Sequence, residues 1–180
     1  MPADKLIERE LRANWNDVTI VCTGPLTNLA RAIGRDPTLV EAIDRVIITG
    51  GSVSMIGNQT PTSEFNMHFD PFGADQIFQS ATTKSLLPLE ITERLQFGWE
   101  LVEQLPPGYT KVGAVLRQVL PHLFRTTRQQ LGCETISLQA VTPCLMLVES
   151  MLFEWETMAG KVETGGHFTR GATVFDRRIQ

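Results

Sequence analysis

The chain has 180 residues and a formal net charge of −4, with 42% hydrophobic and 20% charged residues. These values are typical of a globular domain with a buried core, and they exclude a largely disordered chain. The acidic balance argues against general nucleic-acid binding, which depends on clustered basic residues.

Composition also bears on the membrane and on redox chemistry. No apolar run approaches the length of a membrane span, and the charged N-terminus lacks the apolar core of a signal peptide. Cys22, Cys133 and Cys144 form no C-x-x-C pair, so neither a zinc cluster nor a disulfide framework is indicated. We therefore expect a reduced, cytoplasmic protein that acts without a membrane.

The first part of the chain alternates helical patterns with short apolar strands. A helix is predicted over residues 4–13, followed by a buried strand at 18–22 that is rich in β-branched residues. Apolar residues spaced along one helix face predict a second helix over 26–33, which Gly34 is placed to end. A short helix is predicted after Asp36 and Pro37, and then a second buried strand at 46–49.

A long polar segment follows that strand, from Ser52 to Asp70. It is longer than ordinary connections, so it is either functional or mobile. Asp70 and Pro71 are predicted to be the N-cap and first residue of a helix that runs to about Ser80. The next apolar run, at 86–89, contains a proline that favours a sheet edge or the end of a strand.

The second part of the chain is predicted to be mainly helical. Thr92 is expected to cap the helix at 92–105. The apolar composition of the helix at 138–153 predicts that it is buried. The predicted helices cover 92–105, 110–131 (with a possible kink at Pro121) and 138–153, and the predicted strands cover 161–164 and 173–175. The whole pattern predicts one α/β domain over 1–180, with a doubly wound, mostly parallel sheet.

The candidate functional residues follow the first two strands. In open α/β sheets ligands bind beyond the carboxyl ends of the strands, where residues 23–28 and 50–70 are expected. Within the second segment, Asn58, Glu64 and Asn66 carry the acceptors and donors that a polyhydroxylated ligand needs. Glu64 and Asn66 would share one side of an extended chain. The alternative is structural, since asparagine is common in turns and a loop glutamate is usually solvated.

Four ordered motifs resemble the inosine–uridine preferring nucleoside hydrolase family. Residues 18–30, VTIVCTGPLTNLA, are similar to its "VT-x-x-x-TGPLTNLA" segment. Gly50-Gly51, Gly57-Asn58, Glu64-Phe65-Asn66 and Asp70-Pro71 resemble its "GG…GN…EFN…DP" loop. Residues 87–92, LPLEIT, resemble "PLDVT", and residues 162–178 resemble "VET…TRG-x-TV-x-D-R-R".

The resemblance implies a doubly wound α/β fold and hydrolysis of the N-glycosidic bond of ribonucleosides. It also implies a Ca²⁺ ion that binds ribose hydroxyls and activates a water molecule. Carried over by position, Asn58, Glu64 and Asn66 match residues that contact ribose. Thr23 matches a residue whose backbone carbonyl coordinates the calcium.

This sequence departs from the family pattern in three places. It contains no D-x-D-x-x-x-D-D motif, which in the family supplies calcium carboxylates and the catalytic base. Val141 and Thr142 stand where the family has a His-Asp pair. The chain is expected to begin after the family's first strands and to stop short of its last strand and helix. No catalytic residue is therefore assigned, and calcium binding is expected to be weak or absent.

Three interpretations follow from these departures. The chain is a family member that is impaired or inactive alone, a non-catalytic protein that binds ribose or nucleosides, or a structural subunit. All three share one expectation. A sheet without its first strands leaves an edge and apolar helix faces uncovered, which predicts a homo-oligomer.

Overall fold

The computed structural model describes residues 1–178. Its helices are α1 (Ala3–Ala13), α2 (Thr27–Arg35), α3 (Phe65–Phe69), α4 (Pro71–Gln79), α5 (Leu89–Thr92), α6 (Glu100–Glu103), α7 (Lys111–Leu131) and α8 (Thr142–Val148). Its strands are β1 (Val18–Cys22), β2 (Ile43–Thr49), β3 (Lys84–Leu87), β4 (Gln96–Phe97), β5 (Ile136–Ser137), β6 (Gly160–Val162) and β7 (Thr173–Phe175). The chain forms two compact units, a larger one of residues 1–91 with the chain from 140 onward, and a smaller one of 92–139.

The larger unit is built on a parallel sheet in the order β1-β2-β3. Cys22 lies opposite Ile48, and Thr49 lies opposite Leu87, so the three strands end at the same edge. This confirms the predicted α/β class and its parallel sheet. Strands β6 and β7 form a separate antiparallel pair in the same unit. The expectation of a single domain over 1–180 stays a prediction.

Side chains that alternate along β2 enter two different cores. Val46 and Ile48 are buried with residues of α2 and α4, whereas Ile47 is buried with Leu87 and with Met146 of α8. Successive strand residues point to opposite faces, so helices cover this sheet on both sides. Both faces of the central strand are therefore apolar, which explains its continuous run of Val and Ile.

The smaller unit has its own core around α7. Leu120 and Phe124 of α7 are buried with Ile136 of β5, which pairs with Phe97 of β4. Thr110 caps α7 by accepting a hydrogen bond from the amide of Gly113 at 3.0 Å. The predicted helix at 110–131 is confirmed, and it continues through Pro121.

Three predicted helix features are wrong. Gly34 lies inside α2, which continues to Arg35. Thr92 is the last residue of α5 rather than a cap, because the next residues pair as β4 with β5. The predicted buried helix at 138–153 contains only the short α8 flanked by 3₁₀ turns, and Val148 is 78% exposed. A helix this short buries only the side that faces the sheet.

Candidate functional site

The ends of β2 and β3 are joined by backbone hydrogen bonds at the carboxyl edge of the sheet. The amide of Gly50 donates to the carbonyl of Leu87 at 3.1 Å, and the amide of Leu89 donates to the carbonyl of Gly51 at 3.0 Å. These two hydrogen bonds fix the position at which the polar segment after β2 begins. Thr23 follows β1 at the same edge and is exposed.

Glu64 is the buried centre of that polar segment. Its Oε2 atom accepts hydrogen bonds from the amides of Asn66 at 2.8 Å, Gly51 at 3.1 Å and Met67 at 3.2 Å. The side chain thus caps α3 and holds it against the end of β2. Burial raises the pKa of Glu64, and the amide hydrogen bonds only partly offset that effect. Oε1 accepts no hydrogen bond from residues 1–178, because all three amides donate to Oε2.

Asn66 and Asn58 lie next to Glu64 by different contacts. The side-chain amide of Asn66 donates to the carbonyl of Thr49 at 3.0 Å, and Oδ1 of Asn58 accepts from the amide of Phe65 at 2.9 Å. The stretch from Phe65 is helical, so the extended chain considered in the sequence analysis does not occur there. Glu64 and Asn66 are instead held close together because Glu64 caps α3 and Asn66 binds the carbonyl of Thr49. No side-chain hydrogen bond within residues 1–178 joins Thr23 to them.

Gly50 allows the Glu64 carboxylate to approach the backbone. Its φ is +139°, and a Cβ atom there would lie 2.7 Å from Oε2 of Glu64 and 3.0 Å from Met67. A side chain would therefore be strained by both conformation and contact. Glu64 can occupy its position only because glycine follows β2 at Gly50. The sequence analysis did not predict this requirement.

Glu90, which is half-buried, makes a second set of carboxylate contacts, and the sequence analysis did not assign it. Its Oε1 atom accepts from the amides of Ser54 at 2.6 Å, Met55 at 2.8 Å and Val53 at 2.9 Å. Burial opposes ionisation of Glu90, but these amides outweigh it and hold the pKa below its ordinary value. Glu90 therefore fixes the start of the polar segment as an anion. The only sequence signal for it was its place in the LEIT motif.

We expect Glu90→Gln to destabilise the protein by about 1–2 kcal/mol at pH 7, because charge-assisted hydrogen bonds become neutral ones. The pKa of Glu90 is lower in the folded state, so its contribution is present above the unfolded pKa and is lost as pH falls through the folded pKa. Other carboxyl groups with lowered pKa values titrate in both proteins, so thermal melts from pH 7 to pH 3 should show a larger loss in the parent than in the variant.

The control for this prediction is Glu156→Gln. Glu156 is exposed and has no side-chain hydrogen bond among residues 1–178, so this variant removes the same charge without the contacts. Equal melting temperatures for the two variants at pH 7 would contradict a role for Glu90 in holding the segment.

Residues of the β6–β7 hairpin make hydrogen bonds to the polar segment that follows β2. The hydroxyl of Thr173 accepts from the amide of Ser52 at 2.8 Å and donates to its carbonyl at 2.6 Å. The hydroxyl of Ser63 donates to the carbonyl of Arg170 at 2.6 Å. The segment is therefore joined to the β6–β7 hairpin at its start, through Ser52, and in its second half, through Ser63.

The described residues do not fit a calcium site by themselves. Among residues 1–178 no group of three or more His, Cys, Asp or Glu side chains is placed to hold a metal ion. Val141 and Thr142 offer no carboxylate at the start of α8, and calcium affinity depends on the number of charged oxygen ligands. Burial raises the pKa of the Cys22 thiol to about 12, which makes it a poor nucleophile at neutral pH.

In the described part of the chain, no helix has the length and apolar character that crossing a membrane requires. The candidate residues lie instead at the end of the sheet and on the segment that follows it.

Comparison with known sequences identifies similar proteins along the whole chain. The model of the inosine-uridine preferring nucleoside hydrolase family matches residues 1–180. The pyrimidine-specific ribonucleoside hydrolase RihA of Salmonella choleraesuis is 31% identical over 175 residues, which cover 97% of this chain and 56% of that protein. RihA of Salmonella newport is 32% identical over 176 residues, again covering 97% and 56%. The chain thus spans about half the length of the curated relatives it matches.

Solved structures give the same result for the fold. A plant nucleoside hydrolase, the PpNRh1 enzyme, superposes with a TM-score of 0.89 at 28% identity, covering 98% of this chain and 55% of that one. A purine-preferring ribonucleoside hydrolase from Gardnerella vaginalis has a TM-score of 0.90 at 24% identity, covering 98% and 56%. The second comparison bears on the fold alone.

Proposed function

Because this chain belongs to the inosine-uridine preferring nucleoside hydrolase family, we propose that its residues 50–70 bind the ribose of a ribonucleoside. The observation that carries the proposal is the state of Glu64. It is 2% exposed, one carboxylate oxygen holds three amides, and the other has no partner among residues 1–178. A carboxylate that is held in place by one oxygen, while the other oxygen accepts no hydrogen bond, is suited to bind a hydroxyl donor.

The chemistry of ribose matches the three side chains. Vicinal hydroxyls each donate and accept, Glu64 supplies an acceptor, and the amide groups of Asn58 and Asn66 supply both functions. Contacts to sugar hydroxyls strengthen as the ring gains positive charge during glycosidic cleavage. For the whole protein we therefore propose the family reaction, hydrolysis of the N-glycosidic bond. Thr23 remains the proposed backbone contact to calcium.

These 180 residues alone are proposed to lack appreciable hydrolase activity. No D-x-D-x-x-x-D-D motif occurs in them, so they lack the carboxylates with which that motif holds calcium and activates water in the family. We expect no turnover of inosine, uridine or nitrophenyl riboside by the purified 180-residue chain, with or without 1 mM calcium. Clear calcium-dependent product formation would contradict this proposal.

Direct binding distinguishes the two non-catalytic alternatives. Calorimetry with D-ribose and uridine should give heat and a thermal shift for a protein that binds nucleosides. Neither response is expected of a purely structural subunit. The second carboxylate oxygen of Glu64 favours binding, since the capping hydrogen bonds use only Oε2 and Oε1 accepts none from residues 1–178.

We also propose that the chain forms a homo-oligomer, as the uncovered sheet edge suggests. Among residues 1–178, β1 and β3 are the outer strands of the parallel sheet, and each leaves one edge unpaired. Sedimentation at micromolar concentration should give at least a dimer. A monomer that melts cooperatively would contradict this expectation. A cytoplasmic location stays a prediction.

A further inference from the structure

Three fully buried threonine hydroxyls of the larger unit have no hydrogen-bond partner among residues 1–178, and two of them, those of Thr49 and Thr142, lie near the candidate site. In this part of the chain, four side-chain oxygen atoms that are fully shielded from solvent lack a partner, namely those of Thr27, Thr49 and Thr142, and one oxygen of Glu90. Thr49 is 3% exposed and Thr142 is 0% exposed. Buried hydroxyls are nearly always hydrogen-bonded, so the pair of Thr49 and Thr142 indicates a partner that residues 1–178 do not supply.

Both hydroxyls belong to the layer between β2 and α8. Ile47 of β2 is buried against Met146 of α8. Thr49 comes two residues after Ile47, so it lies on the same face of the strand. Thr142 comes four residues before Met146, so it lies on the same face of the helix. The two threonines are therefore on the facing sides of these elements.

This layer adjoins the candidate site through Thr49. The carbonyl of Thr49 accepts the side-chain amide of Asn66 at 3.0 Å, and Gly50 beside it approaches the Glu64 carboxylate. Valine has the same shape as threonine and avoids the cost of burying a hydroxyl. A threonine at both positions is thus a cost to the ligand-free fold unless something hydrogen-bonds to it.

We propose that Thr49 and Thr142 form a neutral hydroxyl subsite that contacts the sugar hydroxyls of the ligand. The proposal rests on the ribose-binding function proposed above, and it adds two contacts to Asn58, Glu64 and Asn66. A threonine hydroxyl donates and accepts, as a sugar hydroxyl does, so the pair can bind either orientation. The subsite carries no charge, and its contribution to affinity should be independent of calcium.

The test compares Thr49→Val and Thr142→Val with the parent chain. Calorimetry with uridine is expected to show about tenfold weaker binding for each variant, which corresponds to one lost hydrogen bond. The penalty should disappear for the deoxyuridine that lacks the contacted hydroxyl. Thr49→Ser and Thr142→Ser keep the hydroxyl and should retain affinity within about threefold.

Thermal melts of the ligand-free proteins supply the second measurement. Removing an unpartnered hydroxyl should leave the melting temperature unchanged or raise it. Thr82→Val is the matched control, because Thr82 is buried and its hydroxyl is 2.9 Å from that of Ser80. That variant breaks an existing hydrogen bond and should lower the melting temperature while keeping uridine affinity.

The outcomes separate this proposal from the function on which it rests. If the parent does not bind uridine, both are overturned. If the parent binds and both valine variants bind equally well, only the subsite is overturned. Lower melting temperatures of the valine variants with unchanged affinity would identify a structural water site instead, and would also overturn it.

Discussion

Replacing Glu64 with glutamine is expected to weaken ribose and uridine binding by about 100-fold while the protein stays folded. A glutamine oxygen can still accept from the amides of Gly51, Asn66 and Met67, so the capping of α3 persists. The other oxygen is replaced by the NH2 group of the side-chain amide, which donates and cannot accept from a sugar hydroxyl. Loss of a hydrogen bond to a charged group, with an unpaired donor left behind, accounts for this magnitude.

The pH dependence of stability gives this prediction a second measurement. The pKa of Glu64 is raised in the folded protein, so its contribution to stability is complete below the unfolded pKa and is lost as pH rises through the folded pKa. Glu64→Gln removes this titration. We therefore expect the melting temperature of the variant at pH 7 to equal or exceed that of the parent.

Glu64→Ala is the informative contrast. It leaves three amides without their acceptor, so it should lose both ligand binding and several degrees of melting temperature. Uridine affinity that is unchanged in Glu64→Gln would remove the main support for the ribose-binding proposal. A large fall in the melting temperature of Glu64→Gln would show instead that the buried charge is structural.

Gly57→Ala is expected to be among the most destabilising single substitutions in the polar segment. A Cβ atom at Gly57 would lie 2.2 Å from the carbonyl oxygen of Ser63 and 2.3 Å from both the Ser63 nitrogen and the Thr60 carbonyl oxygen. These are backbone atoms, so no side-chain rotation can relieve the overlap, and the turn between Asn58 and Glu64 must open. We expect a loss of about 2–4 kcal/mol, or about 5–15 °C in melting temperature.

Gly165→Ala is the matched control for that variant. No atom lies within 4 Å of a Cβ built on Gly165, so the same chemical change should alter the melting temperature by no more than about 2 °C. Calorimetry should also show that Gly57→Ala loses uridine binding, because Asn58 and Glu64 no longer keep their spacing. A Gly57→Ala melt within 2 °C of the parent would contradict the close backbone packing of this turn.

Features that depend on neighbouring residues could be predicted from the sequence. Asp70 accepts from the amide of Gly73 at 3.0 Å, and Pro71 is the first helical residue, as local capping rules require. The apolar run of β1 and the ends of α7 were likewise recognised from short-range patterns. Glu64 and Asn66 were identified as candidates from their residue types, their spacing and the family resemblance.

Features that depend on distant residues could not be predicted. The apolar stripe after Thr92 exists, but pairing of Gln96 and Phe97 with β5 prevents the helix that it indicated. Glu90 holds amides about 36 residues earlier in the chain, and no local pattern reveals such a contact. The capping role of Glu64 required α3, a five-residue helix hidden in a segment that looked irregular. Tertiary packing decided each of these cases.

The hydrogen bonds between Ser52 and Thr173 have a consequence for the order of events during synthesis. The two residues are separated by 121 positions. At translation rates of roughly 5–20 residues per second, Thr173 emerges about 6–24 s after Ser52. The three strands of the parallel sheet are complete by Leu87. A nascent chain can therefore form this sheet before Thr173 is available to bind the segment that starts at Ser52. The contacts of this segment with Arg170 and Thr173 therefore form last, after the sheet and the Glu90 contacts can already be in place.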